Sequence, residues 1–166
     1  MTVLVAEDDP FFRQLLQKLL AAEHEIITAE NGLRAWEIIQ QSALPLLVIL
    51  DWVMPGLTGP QVCRNVRSHP KAAGTYLILL TARNSAADIV AGMRAGADDY
   101  MTKPFEPEEL RVRARVGQRI MQLQQELGSA HAELDRALLR EQTLKGQLAT
   151  LMANSETPSL ANGASA

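Results

Sequence analysis

Short apolar runs and longer segments with helical spacing alternate along the first two thirds of the chain. Thr2 to Ala6 (TVLVA) is a β-branched, apolar run that predicts a strand and ends in three acids, Glu7, Asp8 and Asp9. Asp9 before Pro10 is a helix N-cap and first-turn signal. Phe11, Leu15, Leu16, Leu19 and Leu20 then recur at helical spacing, predicting a helix over residues 10–22. Glu25 to Ala29 (EIITA) is a more polar strand suited to a sheet edge, and Asn31 and Gly32 open a helix carrying Leu33, Trp36, Ile38 and Ile39. Leu46 to Leu50 is an unbroken apolar run that leads into Asp51 and then a Pro55/Gly56 turn. Such a run fits a strand buried on both faces, as in a parallel sheet covered by helices.

The alternation continues beyond Asp51. A helix starts at Gly59 and Pro60 and runs with Val62, Cys63 and Val66 to about Arg67; Cys63 reads as a packed core residue. Thr75 to Leu80 predicts a strand ending at Thr81, and residues 84–95 a helix capped by Asn84 and closed by Gly96. Ala97 to Thr102 is a less apolar strand that runs into Lys103 and Pro104, and Pro107 starts the last helix. Strands separated by helical patterns at this spacing predict an α/β fold of five βα units, a parallel sheet with helices on both faces.

Composition narrows the setting. The chain has 166 residues, 47% of them hydrophobic, and a formal net charge of −3, enough for one globular domain and something extra. A single cysteine cannot form an internal disulfide, and His24, His69 and His131 are too scattered for a zinc site. The start, MTVLVAEDD, lacks a basic region followed by a long apolar core, and no later run approaches the ~18 apolar residues of a membrane span. A cytoplasmic protein without membrane contact is expected. Mild acidity gives no general pull toward nucleic acid.

In a parallel sheet the strand ends arrive at one edge, where ligands bind in open α/β folds. Glu7, Asp8, Asp51, Thr81 and Lys103 would therefore meet. Three carboxylates repel one another and call for a cation, and hard oxygen ligands suit Mg²⁺ better than zinc. A lysine and a hydroxyl beside such a metal suit a phosphoryl group. Asp9 is assigned to helix capping instead.

These residues carry a resemblance. The acidic pair in AEDD, LDWVMPG around Asp51, LLTA around Thr81, AGADDY before Tyr100 and KPF at Lys103, in that order and spacing, closely resemble the receiver domains of bacterial two-component response regulators. The resemblance covers residues 2–119 and implies the CheY-like, flavodoxin-like strand order 2-1-3-4-5. By position it implies that Asp51 takes a phosphoryl group from a phosphohistidine on a sensor histidine kinase or phosphotransfer protein. Asp8, Asp51 and the backbone carbonyl of Val53 match Mg²⁺ ligands, and Glu7 a residue that acts through metal-bound water. Lys103, next to an expected cis bond to Pro104, matches the partner of a phosphoryl oxygen, and Thr81 and Tyr100 match the switch pair. The implied function is that of a phosphoacceptor signalling protein and not a classical enzyme, with self-catalysed phosphotransfer and slow autodephosphorylation. Val53 and Arg83 occupy positions that tune phosphoryl lifetime in the family, and neither supplies a carboxylate or amide to orient water. A haloacid-dehalogenase-like phosphotransferase would want a second Asp at position 53, where Val stands, and a phosphate-blind scaffold fits poorly with the complete acidic set.

From Glu106 the pattern changes. Val116, Leu123, Ala130, Ala137, Leu144 and Leu151 fall at every seventh position, with Ile120, Leu127, Leu134, Glu141 and Leu148 interleaved. That heptad pattern predicts a coiled coil over residues 116–152 and a homodimer, parallel and two-fold symmetric. A helix from Pro107 to about Met152 would be ~68 Å long, more than one domain can cover. Glu141, Gly128 and Gly146 weaken the pattern, so fraying is expected beyond about Arg140, and residues 153–166 read as a disordered tail. The arginines at 111, 113, 115 and 119 are expected to pair with receiver carboxylates instead of binding nucleic acid. The segment also resembles linkers that join receivers to output domains such as diguanylate cyclases. No output domain follows within these residues, so a regulatory front end of a longer protein stays open as an alternative.

Overall fold

The structure, a computed structural model, describes residues 1–83 and 85–155, with the backbone alone for 153–155. Five strands, β1 (Thr2–Ala6), β2 (Glu25–Ala29), β3 (Leu47–Asp51), β4 (Tyr76–Thr81) and β5 (Asp99–Thr102), alternate with α1 (Pro10–Leu20), α2 (Gly32–Gln41), α3 (Gly59–Ser68), α4 (Ala86–Arg94) and α5 (Pro107–Ser155). All strand pairs are parallel, in the order β2-β1-β3-β4-β5. The expected flavodoxin-like arrangement is therefore present, with β2 at one edge.

Burial follows from the two-residue period of the strands. In β3, Val48 and Leu50 join a core with Ala35 and Ile39 of α2 and Val62, Cys63 and Val66 of α3. Leu47 and Ile49 join the opposite core, with Leu16 and Leu20 of α1 and Leu110 and Ala114 of α5. Every β3 residue is buried, which explains why its sequence shows no polar alternation. Each such side chain contributes roughly 1.5–3 kcal/mol by leaving water. β3 is thus anchored on both faces and holds Asp51 at a fixed height.

Local signals set most helix starts. The Asp9 carboxylate accepts from the Phe12 backbone N–H at 2.9 Å, the capping role read from sequence. Helix α4 departs from expectation: its N-cap is Ser85, whose side chain accepts from the Asp88 N–H at 3.1 Å, while Asn84 lies outside the described residues. Ser85 sits three residues before Asp88, the spacing an N-cap needs, and its hydroxyl also donates to the Asp88 carboxylate at 2.6 Å. A short 3-10 turn, Pro70–Ala72, precedes β4 and has no counterpart in the apolar pattern.

The chain divides into two compact units, 1–124 and 125–166. In the first, α5 packs through Leu110, Ala114 and Met121, and three of its arginines are paired: Arg113 with Asp99 at 2.7 Å, Arg115 with Glu23 at 2.7 Å, and Arg111 with Glu108 of the same helix at 3.2 Å. In the second, the helix is continuous past Arg140 to Ser155. The Lys145–Glu141 pair at 2.6 Å and Thr143 and Thr150 hydroxyls bonded to the Leu139 and Gly146 carbonyls satisfy this stretch locally. The expected disordered tail falls mainly on residues 156–166, outside those described. Among the described residues no helix is long and apolar enough to cross a membrane.

Candidate functional site

Asp51 ends β3 and is almost enclosed, while Glu7, one residue past β1, is only 2% exposed. Asp8 beside it is open to solvent. One carboxylate oxygen from each of Glu7, Asp8 and Asp51 lies within 4.8 Å of the others. This adjacency is a product of register: β1 and β3 pair with Ala6 opposite Leu50, so their next residues emerge side by side.

Lys103 arrives from the far side. Its backbone N–H donates to the Thr81 carbonyl at 2.7 Å, a cis peptide joins it to Pro104, and its ammonium donates to Glu7 Oε2 at 2.6 Å and Asp51 Oδ1 at 2.7 Å. Asp51 Oδ2 accepts from the Val53 N–H at 3.1 Å. Burial, with the Asp51 charge adding to it, holds the Glu7 carboxyl above its ordinary value even though Lys103 bonds to it. Burial also opposes the Lys103 charge, but the two carboxylates outweigh that and hold its ammonium above the usual value. One cation thus serves two buried carboxylates, and Asp8 adds a third. The donor set, hard carboxylate oxygens with one member open to water, fits a divalent cation such as Mg²⁺.

Thr81 and Tyr100 lie on neighbouring strands. Thr81 is buried, and its hydroxyl accepts from the Arg83 N–H at 3.0 Å. Tyr100 is half-buried, donates its hydroxyl to the Arg83 carbonyl, and meets the Trp52 ring edge-on at 6.2 Å. The Arg83 guanidinium covers the other aromatic, 5.7 Å from the Trp52 centroid. Burial, followed by the Asp88 charge, raises the Tyr100 phenol, and the Thr81 hydroxyl works against that rise.

Every residue singled out from sequence for the strand-end cluster is therefore brought to this edge. Others belong to it that the pattern did not reveal. Arg13 donates to the Glu7 and Asp8 carbonyls at 2.6 and 3.1 Å, clamping the acidic loop. The Phe12 ring sits 4.3 Å from the Lys103 ammonium. Gly59 approaches so closely that a Cβ there would lie 2.5 Å from the Asp51 carbonyl oxygen. Trp52 and Gly92 line the Tyr100 ring. The sequence signal for Arg13 and Phe12 is only their place one helical turn after the acids. Cys63 is fully buried, with its thiol pushed up to about 12, and takes no part.

Residues 3–115 match the profile of the response regulator receiver domain, so the chain belongs to that family, whose members are signalling proteins of two-component systems. In particular it is 41% identical over 115 residues to the phosphate regulon transcriptional regulatory protein PhoB of Rhizobium meliloti, covering 69% of this chain and 50% of that one. It is 33% identical over 149 residues to histidine kinase P4 of Formosa agariphila, covering 87% of this chain and 11% of that protein. The receiver domain of the Francisella response regulator 1452 superposes with a TM-score of 0.65 at 30% identity, over 70% of this chain and 94% of that one. The chain spans about half the length of PhoB.

Proposed function

We propose that the protein is a phosphoryl-accepting receiver in a cytoplasmic two-component relay, with Asp51 as the acceptor. The observation that carries this is the Asp51 carboxylate at the end of β3, bonded at 2.7 Å to Lys103 and grouped with Glu7 and Asp8. An Asp51 oxygen forms the new P–O bond as the P–N bond of a phosphohistidine breaks, and the electron pair of that bond returns to the imidazole. Asp8, Asp51 and the Val53 carbonyl, with Glu7 alongside, would hold Mg²⁺, which when bound offsets charge on the phosphoryl oxygens. The Lys103 ammonium, 2.7 Å from Asp51 Oδ1, would meet one of those oxygens. Autodephosphorylation is slow on this reading, because neither Val53 nor Arg83 orients water.

Phosphorylation adds about −1.5 to −2 charge and three acceptors next to the Thr81 hydroxyl. Thr81 turns toward them, releases the Arg83 N–H, and loosens the Arg83 carbonyl that holds Tyr100. The ring then moves toward the space Thr81 leaves. The exposed helix beyond Gln124 serves as the dimerisation element, no nucleic acid being bound by the receiver itself. A second reading, a regulatory front end of a longer output protein, draws support from the share of PhoB that the chain spans. Intact mass after incubation with acetyl phosphate and Mg²⁺ tests the central claim: one added phosphoryl group is expected, and none overturns it.

A further inference from the structure

Leu127, Leu134, Leu144 and Leu148 are each more than half exposed in the single chain, although they share one helical seam. Glu141 falls in the same seam and is held by Lys145 of its own helix. Resting on the dimer reading above but reversing the parallel orientation expected from the heptads alone, we infer that two copies pair antiparallel along this seam, centred between Leu134 and Ala137.

Charge and side-chain size decide the orientation. In a parallel pair, equivalent core positions face each other. Glu141 would meet Glu141 in a shared layer, and flanking Arg140 would meet the partner's Lys145, a like-charge contact on both sides. The two alanine layers, 130 on 130 and 137 on 137, would leave shallow gaps between leucine layers. Reversing one helix exchanges these faults for complements. Leu127 then packs on Leu144, Leu134 on Ala137, and Glu141 faces the small Ala130, where Lys145 can follow it outward. The flanking positions bring Glu133 beside Arg140 twice, by symmetry.

Neighbouring antiparallel registers lose this fit. Shifting by one heptad toward the C-terminus sets Arg140 against Arg140, and shifting the other way sets Glu133 against Glu133. Only the register centred near residues 135 and 136 has opposite charges at both flanks and no like pair. The occupant is thus a second copy of this chain, because its own sequence supplies the complement.

Full-length chains carrying Leu127→Cys or Leu144→Cys report the orientation after mild oxidation, since buried Cys63, with its raised thiol pKa, stays silent. Disulfide-linked dimers are expected only when the two variants are mixed. Links within either variant alone overturn the antiparallel assignment while leaving the dimer intact. Dimers by light scattering that link in no combination overturn it as well. Monomers at micromolar concentration for the unsubstituted chain overturn the dimer reading beneath it. Surface charge gives an independent check that leaves the core untouched. Arg140→Glu should weaken dimerisation roughly five- to thirtyfold and Glu133→Arg likewise, with the double exchange restoring it. Stronger association in Arg140→Glu alone, which a parallel pair requires, overturns the inference.

Discussion

The carboxyl edge of the sheet and the helix beyond Gln124 solve the same problem, polar groups beside apolar ones, in opposite ways. At the edge, Asp51 is held by Lys103, 52 residues away, which also bonds Glu7 just past the first strand. Along the helix every hydrogen bond or ion pair described spans four residues, as in Lys145–Glu141 and Thr143–Leu139. The first region is determined by tertiary contacts within one domain. The second holds its shape by local bonds and leaves its leucines exposed in the single chain, the feature on which the proposed pairing with a second copy rests.

The largest effect expected is at the acceptor. Asp51→Asn should abolish labelling by acetyl phosphate, whereas Asp9→Asn, which touches only the α1 cap, should leave it nearly intact. Equal loss in both, read by intact mass, would break the distinction between site and cap. Next is the helix: a chain stopped after Gln124 keeps Met121 in the core, so it should fold and label normally yet scatter light as a monomer. If it stays as large an assembly as the full chain, the seam is not the contact.

Glycines sharpen the contrast further. Gly59→Ala drives a Cβ against the Asp51 carbonyl oxygen and Leu79, and should cost about 2–4 kcal/mol in urea unfolding. Gly128→Ala meets nothing within 4 Å and should instead raise helicity, by circular dichroism, worth up to about 1 kcal/mol. Lys103→Ala lies between these in size. Two buried carboxylates lose their cation, so stability should fall by about 2 kcal/mol while some labelling persists. On the proposed role of the lysine, stabilising the phosphorylated form without supplying the nucleophile, the change in Trp52 fluorescence on phosphorylation should shrink several-fold. Full response in that variant would remove Lys103 from the switch.

Much of the site was legible because the strand pattern is legible. Once TVLVA, LLVIL, TYLILL and ADDYMT are read as parallel strands, their terminal residues must share an edge, and Glu7, Asp8, Asp51, Thr81 and Lys103 follow. Asn84 as the α4 cap failed for the opposite reason. Adjacent polar residues, Asn84 and Ser85, offer equal local signals, and only the position of the Asp88 N–H separates them.

By itself the sequence determined the order and kind of the elements, the helix cap at Asp9 and the heptad seam, because hydrophobic period and capping act over a few residues. Tertiary structure alone decided that Lys103 bonds both Glu7 and Asp51, that Arg13 clamps the acidic loop, and that Tyr100 is tied to the Arg83 carbonyl against Trp52. Those contacts join residues separated by up to 96 positions, and their geometry depends on strand register and side-chain rotamers that no local pattern encodes.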